Sequence, residues 1–418
     1  MDKKLFEFLQ EKGYVYQTTD ETAVKKLCNG KPMTLYCGID PTADSLHIGH
    51  CFPLIILRHF QNAGHRVIIL LGGATAMIGD PSGRREMRKM ISQDFITSNL
   101  DNIKKIIGKF LNLGGENPVM FVNNYDWFKN LNYVEFMREI GVHFNVNKML
   151  AIEAYSSRLN EGGLTFFEMG YMLMQAYDFV YLNKKYGCSM QIGGSDQWAN
   201  ILAGAELGRK LSHQEGEREP VFQAMTCPLL LNSEGNKMGK TEKGAVWVLK
   251  EKTSPFEFYQ YFYNQNDADV ERFLKILSDL SLDEVSEIMK SDIRDAKHRM
   301  AFEATKLIHG EADAKEAQNT AKNLFSSETS LNDLMNDMPK IEIDTQTLKN
   351  GFKILDAFLS ANLASSKSEV RRVAVQGGLS LNNEKVIDPE KLLSEKDFKD
   401  KVAILKKGKK TFVKVILK

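Results

Sequence analysis

The sequence lacks the features of a secreted, disulfide-stabilised or membrane-spanning protein. Its five cysteines are odd in number and include no C-x-x-C pair, which argues against a disulfide framework and against a zinc site. The start has no secretory hydrophobic region. The longest apolar run, near 67–79, is too short and too rich in glycine to span a bilayer. We therefore expect a soluble, cytoplasmic protein without a membrane segment or a protein-bound metal ion.

Length and charge indicate several domains with different surfaces. The 418 residues exceed what one hydrophobic core normally holds. Residues 351–418 carry 15 Lys and Arg against 8 Asp and Glu, whereas the rest of the chain carries 40 against 46. This basic end suggests a polyanionic partner, although charge alone leaves a plain solvated surface equally open. We predict domains at 1–250 and 251–330, a linker at 331–351, and a small α/β domain at 352–418.

The most distinctive segment, 37–50, is predicted to join a strand to a helix. A short apolar run at 33–36 predicts the strand, and apolar residues at helical spacing over 51–61 predict a buried helix. Asp44 or Ser45 is expected to cap this helix, because short polar side chains accept from the free amides of a first turn.

Two histidines in this segment, His47 and His50, lie three residues apart and are predicted to share one face of the first helical turn. Gly49 between them has no side chain, so a flat ring could approach the backbone there. A helix N-terminus offers unpaired amides and a partial positive charge, which suit phosphate oxygens. A single histidine on a helix is usually structural. However, His-Ile-Gly-His after Asp40-Pro-Thr is rare by chance, which favours an anion-binding site.

The next predicted strand, 65–71, completes a βαβ unit. It ends in a glycine-rich loop that carries Asp80, Arg84 and Arg88. In open α/β sheets ligands bind at the carboxyl ends of the strands, which is where this loop is expected. After the loop, a helix is predicted to begin at Ser98, since a residue of capping type is followed there by an acidic residue three positions later.

A long apolar helix predicted at 165–181 carries three polar residues on one face. Tyr171, Gln175 and Asp178 recur at i, i+4 and i+7, so a phenol, an amide and a carboxylate share that face. A polar edge facing water is the plainer interpretation. The apolar neighbours along the helix favour the wall of a pocket.

Two later loops contain residues that could contact a ligand. Gly193 and Gly194 follow an apolar strand and permit close approach of a ligand, and Asp196 is placed to accept from hydroxyl groups. Further on, Lys237 and Lys240 lie in a glycine-containing loop and can both reach an anion. Lysine-rich loops are commonly plain surface, so this last motif is weak by itself.

In this order, the motifs resemble those of the class I aminoacyl-tRNA synthetases, and closely those of the bacterial tyrosyl-tRNA synthetases over nearly the whole chain. The segment 47–50 resembles the HIGH signature, and 237–241 resembles the KMSKS loop with Gly and Thr in place of the two serines. The end of the chain, 352–418, resembles a small RNA-binding fold named after a ribosomal protein. The resemblance implies an α/β fold: a Rossmann-like parallel-sheet nucleotide-binding domain, then a helical domain on the anticodon side, then a small α/β C-terminal RNA-binding domain.

The resemblance also implies a reaction. Tyrosine and ATP would form tyrosyl-adenylate and pyrophosphate, and tyrosine would then pass to the terminal adenosine of its tRNA. The residues implied to bind tyrosine are Tyr36, Asp80, Tyr171, Gln175, Asp178 and Gln191. Those implied to bind ATP are Cys37, Gly38, Asp40, His47, Gly49, His50, Gly193, Asp196, Gln197 and Lys240. Those implied to act on the phosphates are Thr42, His47, His50, Arg84, Arg88, Lys237, Lys240 and Thr241. Those implied to contact RNA are Lys367, Arg371, Arg372, Lys406, Lys407, Lys409 and Lys410.

Two positions depart from the family pattern. Pro53 stands in a ribose-facing region where some members have Thr, so one contact is lost there, and Arg84 stands where others have Lys, which keeps the charge. The expected partners are tRNA(Tyr), tyrosine, ATP with Mg²⁺, and a second copy of the chain. The apolar region 134–149 is expected to form the contact between the two copies.

Three other interpretations compete with this one. A tryptophanyl-type synthetase shares both signatures, but Tyr36, Asp178 and the RNA-binding end argue against it. A small HIGH-type nucleotidyltransferase would be shorter and would lack this end. An RNA-binding or regulatory protein on an inactive synthetase scaffold would have no reason to keep all of the signature residues, which are His47, His50, Lys237 and Lys240.

Overall fold

A computed structural model describes the protein over residues 4–82, 87–214, 221–241, 244–323, 339–382, 384–399, 401–408 and 411–418. The chain divides into two compact units, Met1–Val248 and Leu249–Lys418. Each unit contains its own hydrophobic core.

The first unit is built on a six-stranded sheet with the strand order β1-β6-β5-β2-β3-β4. All neighbouring strands are parallel except the edge pair β1 and β6. The strands are β1 Gln17–Thr18, β2 Thr34–Ile39, β3 Arg66–Leu71, β4 Met120–Asn123, β5 Cys188–Gly194 and β6 Gln223–Cys227; a separate short pair is formed by β7 Lys240–Thr241 and β8 Gly244–Ala245. The predicted parallel-sheet fold is confirmed. The interior strand β3 is an apolar run buried from Val67 onward, as expected where helices cover both faces.

Helices connect the strands of this sheet. They are α1 Leu5–Glu11, α2 Glu21–Cys28, α3 Ile48–Asn62, α4 Thr75–Ile78, α5 Gln93–Ile107, α6 Tyr125–Phe128, α7 Tyr133–Glu139, α8 Val146–Leu150, α9 Glu153–Glu161, α10 Phe166–Tyr186 and α11 Trp198–Gln214. Because the parallel strands need crossover connections, β2-α3-β3 forms the predicted βαβ unit.

The caps predicted for α3 are wrong. His47, rather than Asp44 or Ser45, is the N-cap residue, with an extended backbone at φ −100° and ψ 167°. Its ring atom Nδ1 accepts a hydrogen bond from the amide of Gly49 at 3.1 Å. Histidine is not among the usual capping residues, so capping preference points to the nearest Asp or Ser instead.

The helix predicted to begin at Ser98 begins earlier. α5 starts at Gln93, and the hydroxyl of Ser92 accepts from the amide of Phe95 at 3.3 Å. Ser98 lies inside the helix, where its hydroxyl donates to the carbonyl of Phe95 at 2.8 Å. A serine can satisfy its hydroxyl on the preceding turn of a helix, so a capping-type residue alone does not identify a helix start.

The helix α10 is longer than the predicted 165–181. Thr165 and Glu168 form a capping box at its start, in which the amide of Glu168 donates to the Thr165 hydroxyl and the amide of Thr165 donates to the Glu168 carboxylate. The helix ends at Gly187, whose φ of 64° lies in the left-handed region that glycine readily adopts.

The second unit begins with a helical region. Its helices are α12 Pro255–Tyr263, α13 Val270–Ile276, α14 Leu282–Met289, α15 Ile293–His309 and α16 Glu311–Asn323. The fully buried rings of Phe258, Phe262 and Phe273 form part of its core. The start of α14 is capped by Ser281, which forms a capping box with Glu284.

The rest of the second unit is a five-stranded sheet with the order β11-β10-β12-β13-β9 and three helices. The elements are β9 Lys340–Ile343, α17 Thr345–Lys349, α18 Ile354–Ser360, α19 Lys367–Val375, β10 Leu379–Leu381, β11 Glu384–Lys385, β12 Val402–Lys407 and β13 Thr411–Leu417. The linker predicted at 331–351 is therefore wrong over its described part, since β9 pairs in parallel with β13. A strand of four residues is too short to show a clear hydrophobic pattern in the sequence. β9 is recognised as a strand because it pairs with β13, near the C-terminal end of the described chain.

Candidate active site

Two buried polar side chains lie next to each other in the parallel sheet. Tyr36 on β2 and Gln191 on β5 are register partners on neighbouring parallel strands, which places both side chains on the same face. Tyr36 is 1% exposed and Gln191 is 2% exposed. The ring of Tyr36 lies 5.3 Å from the ring of Phe179 on α10, so α10 covers this face.

Asp178 on α10 is held by two donors that follow β4. The indole Nε1 of Trp127 donates to its Oδ1 at 3.0 Å, and Nδ2 of Asn124 donates to its Oδ2 at 3.1 Å. Burial raises the pKa of Asp178 well above its ordinary value, although both donors act to lower it. The sequence patterns do not predict Trp127 or Asn124. The available signal is their position just after β4, at the carboxyl edge of the sheet.

Three buried polar atoms on β2, β5 and α10 have no hydrogen-bond partner among the described residues. They are Oη of Tyr36, Oε1 of Gln175 and Oε1 of Gln191. A buried polar atom without a partner is unfavourable by about 1–3 kcal/mol, so atoms of this kind usually bond to ordered water or to a ligand. Burial, and then the charge of Asp178, raise the pKa of Tyr36, so its phenol stays protonated at neutral pH.

A chain of hydrogen bonds connects Asp178 to Asp40 at the end of β2. Asn124 Nδ2 also donates to Thr75 Oγ1 at 3.0 Å, and Thr75 Oγ1 donates to Asp40 Oδ1 at 2.8 Å. Oη of Tyr171 donates to the other carboxylate oxygen of Asp40 at 2.9 Å. Burial raises the pKa of Asp40 to about 6, and the donors Thr75 and Tyr171 oppose that rise. Residues implied in tyrosine binding and in ATP binding therefore meet at Asp40.

Asp80 forms a second link between the two sets of residues. Nε2 of Gln197 donates to Oδ2 of Asp80 at 2.6 Å, and Nε of Arg88 donates to the backbone carbonyl of Asp80 at 2.9 Å. Asp80 is buried, at 6% exposed. The loop after β3 is thus tied to the segment after β5. Arg84, predicted in the same loop, lies outside the described residues.

The two signature histidines stack on each other, because His47 precedes α3 instead of sharing a helix face with His50. Their ring centroids are 3.8 Å apart, with 26° between the ring planes. Nδ1 of His50 accepts from the amide of His47 at 3.4 Å, while Nδ1 of His47 accepts from the amide of Gly49. With both Nδ1 atoms accepting, the neutral rings carry their proton on Nε2. Each ring can then donate to an anion at the start of α3.

Other residues implied in ATP binding lie at the ends of β2 and β5. Cys37 and Gly38 belong to β2, and Thr42 follows it, while Gly193 belongs to β5. Burial raises the pKa of Cys37 to about 12, so its thiol is uncharged at neutral pH. All four therefore lie at the carboxyl edge of the sheet, where ligands bind in this class of fold.

The lysine loop contributes one described cation. Nζ of Lys237 lies 3.5 Å from Oδ2 of Asp196, and both side chains are exposed. The backbone of Lys240 and Thr241 forms β7, which pairs with β8. The side chains of Lys240 and Thr241 lie outside the described residues.

Three of the predicted RNA-binding cations make ion pairs within the second unit. Lys367 pairs with Asp356 at 3.1 Å, Arg371 with Glu390 at 2.6 Å, and Lys407 with Glu369 at 2.6 Å. These pairs reduce the charge that the three side chains can offer to a phosphate. Two more predicted cations, Lys409 and Lys410, lie outside the described residues.

Two other predicted cations differ from these. Arg372 is exposed and makes no ion pair with the residues that the structure describes. Nζ of Lys406 lies 5.1 Å from the centre of the Phe412 ring. Arg372 lies on the helix α19, and Lys406 lies on the strand β12.

Within the described ranges, no group of three or more His, Cys, Asp or Glu side chains is arranged so that it could hold a metal ion. Among the helices described, none has both the length and the apolar character needed to cross a membrane.

Known proteins resemble this chain along its whole length. A family model described as "tRNA synthetases class I (W and Y)" matches residues 28–326, and another described as "Tyrosine--tRNA ligase SYY-like C-terminal domain" matches residues 330–415. The chain is 48% identical to the tyrosine–tRNA ligase of Clostridium tetani over 420 residues, which is 100% of each chain. It is 49% identical to the tyrosine–tRNA ligase of Acetivibrio thermocellus over 416 residues, which is 99% of each chain.

A solved structure agrees with these matches. A C-terminally truncated mitochondrial tyrosyl-tRNA synthetase of Aspergillus nidulans has a TM-score of 0.68 and 31% identity, over 77% of this chain and 94% of that chain. The first family model includes both tryptophan and tyrosine enzymes, whereas the C-terminal match and the relatives belong to the tyrosine enzymes alone. The chain therefore belongs to the class I tyrosyl-tRNA synthetase family.

Proposed function

We propose that this chain activates L-tyrosine with ATP to tyrosyl-adenylate and then transfers the tyrosyl group to the terminal adenosine of tRNA(Tyr). The observation that carries the proposal is the group of buried polar atoms without partners, Tyr36 Oη, Gln175 Oε1 and Gln191 Oε1, on the sheet face and helix that also carry Asp178. A tyrosine side chain brings an apolar ring and one hydroxyl, which suits a buried site lined by Phe179 and polar at these few atoms.

Two groups of residues would bind the two ends of the amino acid. The phenol of the substrate would hydrogen-bond with Tyr36 and Asp178. The ammonium group of the substrate would lie near Asp80, Tyr171 and Gln175. A site built to read a hydroxyl discriminates strongly against phenylalanine, because its buried polar groups would then be left unpaired. Tyrosyl-tRNA synthetases are themselves the known example of this effect, with a preference for tyrosine over phenylalanine of roughly 10⁵.

The activation step requires positioning and charge neutralisation. The substrate carboxylate is already ionised and attacks the α-phosphorus directly, so no side-chain nucleophile or general base is needed. His47 and His50 would donate from Nε2 to the phosphates, and Thr42, Arg88 and Lys237 would add donors around them. Arg84, Lys240 and Thr241 are proposed for the same role from their sequence positions. Mg²⁺ would arrive with ATP, bound to its phosphates.

The proposed domain roles follow the sequence. Residues 1–250 would form the catalytic domain, 251–330 a helical domain on the anticodon side, and 352–418 together with β9 an RNA-binding domain. Arg372 is proposed to contact a phosphate directly, whereas Lys367, Arg371 and Lys407 already have carboxylate partners. Because the substrate is a tRNA used in translation, we place the enzyme in the cytoplasm.

The proposed functional form is a homodimer. A run of large apolar side chains on the first unit is exposed to solvent, which is unusual for a monomer. Its members are Tyr133 at 65%, Val134 at 63%, Val142 at 71%, Val146 at 54% and Phe166 at 70% exposed. A second copy that covered this surface would remove those side chains from water.

Tyrosine-dependent exchange of labelled pyrophosphate into ATP tests the proposal. The purified chain should catalyse exchange with tyrosine and not with tryptophan or phenylalanine, and should then charge tRNA(Tyr). Exchange with tryptophan alone would assign it to the tryptophan enzymes. No exchange with any amino acid would contradict an enzymatic role and favour an RNA-binding protein on an inactive scaffold.

A further inference from the structure

The segment after the lysine loop pairs with the start of α3. The amide of Ile48 donates to the carbonyl of Val246 at 3.2 Å, and the amide of Val246 donates to the carbonyl of Gly239 at 2.8 Å. Val246 thus ties Gly239 to the first residue of α3. Met238, next to Gly239, is 4% exposed, so this part of the loop is packed against the protein.

Gly239 approaches the signature turn so closely that a side chain does not fit. Its φ is +83°, and a Cβ atom there would lie 2.9 Å from Cγ2 of Ile48 and 3.5 Å from Nδ1 of His47. Real Cβ atoms essentially never show contacts under 3.0 Å. Ile48 is 1% exposed and cannot turn into solvent. Any larger residue at 239 must therefore move the loop or the turn.

Gly49, in the turn at the start of α3, also lies close to the lysine loop. A Cβ atom at Gly49 would lie 3.0 Å from Cε1 of His47 and 3.9 Å from the carbonyl oxygen of Met238. A Cβ atom at Gly239 would in turn lie 3.8 Å from the amide nitrogen of Gly49. The two signature motifs therefore touch through two glycines, with the ring of His47 folded beside them.

We propose that Gly239 is a positioning residue that seats the lysine loop on the ring of His47 and thereby aligns the phosphate-binding groups for activation. The inference rests on the proposed function, because it assigns His47 and Lys237 to the phosphates of ATP. A side chain at 239 would displace the loop that carries Lys237 and disturb the hydrogen bond between His47 Nδ1 and Gly49. Activation should slow while tyrosine binding, which uses other residues, should not change.

The same loop supplies a matched control. Gly235 has nearly the same backbone angle, at φ +80°, but a Cβ atom there would meet nothing within 4 Å. Alanine at either position adopts the same unfavourable left-handed conformation. Only alanine at 239 also collides with another side chain, at Cγ2 of Ile48. The difference between the two variants therefore isolates the contact from backbone strain.

The experiment compares Gly239→Ala and Gly235→Ala in the full chain. Tyrosine-dependent pyrophosphate exchange gives kcat and KM for ATP, and equilibrium dialysis gives the Kd for tyrosine. A misplacement of about 1 Å can slow an enzymatic reaction about 100-fold, and we expect kcat/KM for ATP to fall by about that factor in Gly239→Ala. Gly235→Ala should stay within about threefold of the wild type, and both variants should bind tyrosine normally.

A second test uses the variant Ile48→Ala, which lacks the side-chain atom that the new Cβ at 239 would meet. In Ile48→Ala the atom Cγ2 is absent, so adding Gly239→Ala should lower kcat/KM for ATP by a clearly smaller factor than it does in the wild type. Equal losses in Gly239→Ala and Gly235→Ala would overturn the role of Gly239, as would a loss that Ile48→Ala does not reduce. A wild type that exchanges no pyrophosphate would instead overturn the proposed function on which the inference rests.

Discussion

At the residue scale, the donors around Asp178 decide how its carboxylate can be used. Trp127 and Asn124 each occupy one carboxylate oxygen, and each oxygen can accept a further hydrogen bond. The carboxyl is almost fully buried, at 1% exposed, so an additional donor from a substrate would be strongly favoured there. A phenol hydroxyl placed between Asp178 and Tyr36 would supply that donor and relieve the unpaired Tyr36 oxygen.

Asp178→Asn should raise KM for tyrosine by about 100-fold or more, because the new amide group would face one of the donors Trp127 and Asn124. Trp127→Phe removes one donor and keeps an aromatic ring beside Tyr181, so a rise of about tenfold is expected. KM for ATP should be unchanged in both variants. The measurement is pyrophosphate exchange, and a wild-type KM for tyrosine in Asp178→Asn would contradict the assignment.

Asp40 gives a prediction for the dependence of stability on pH. Its pKa is about 6 in the folded protein, mainly because of burial, against about 3.9 in an unfolded chain. The folded state therefore binds the proton more tightly. The contribution of Asp40 to the free energy of unfolding is largest below pH ~4, falls as the pH rises to ~6, and is constant above that.

Replacement of the Asp40 carboxyl by an amide should remove this dependence of the free energy of unfolding on pH. As pH rises from ~4 to ~7, the free energy of unfolding of Asp40→Asn should improve relative to the wild type by about 2 kcal/mol. Denaturant titrations followed by tryptophan fluorescence can measure it, since Trp127, Trp198 and Trp247 all lie in the first unit. A difference between variant and wild type that stays constant over this range would contradict the shifted pKa.

At the scale of a single element, α19 places two adjacent arginines in different surroundings. Arg371 donates from Nε and Nη2 to one oxygen of Glu390, at 2.8 Å and 2.6 Å, whereas Arg372 is exposed without an ion pair among the described residues. Their sequence positions predict equal roles in RNA binding. The structure predicts unequal roles, because a phosphate must compete with Glu390 for Arg371.

Arg372→Gln should weaken tRNA binding and reduce the slope of log affinity against log salt concentration by about 1, the value for one lost phosphate contact. Arg371→Gln, the matched change on the same helix, should reduce this slope by less than half as much. Filter binding over a series of salt concentrations measures both. A larger effect of Arg371→Gln would show that Glu390 releases its arginine to the RNA.

At the scale of the whole molecule, the exposed apolar surface on the first unit predicts association. The double variant Val134→Glu with Val142→Glu should make the dimer about 100-fold weaker, since each charge would be buried without a partner. Ile387→Glu is the control, because Ile387 is 90% exposed on the second unit and lies outside this surface. Sedimentation equilibrium measures the effect. Equal behaviour of the two variants would place the interface elsewhere.

The sequence predicted the placement of those residues of the candidate site whose positions depend on local pattern. Spacing along α10 placed Tyr171, Gln175 and Asp178 together, and the strand-turn-helix pattern located the two histidines. It did not predict Trp127 or Asn124, because their partners lie 51 and 54 residues away in the chain. It did not predict the cap of α3, because a histidine ring took the place of a short polar side chain.

By itself the sequence determined the parallel-sheet fold, the order of the motifs and the chemical groups proposed to bind tyrosine and ATP, since periodicity and motif order are properties of the chain. Only the tertiary structure decided that β9 joins β13, that Asp178 and Asp40 share one hydrogen-bond chain, and that Gly239 meets the turn at His47. These contacts join residues far apart in the chain. Their geometry is set by the packing of whole elements, which no local pattern records.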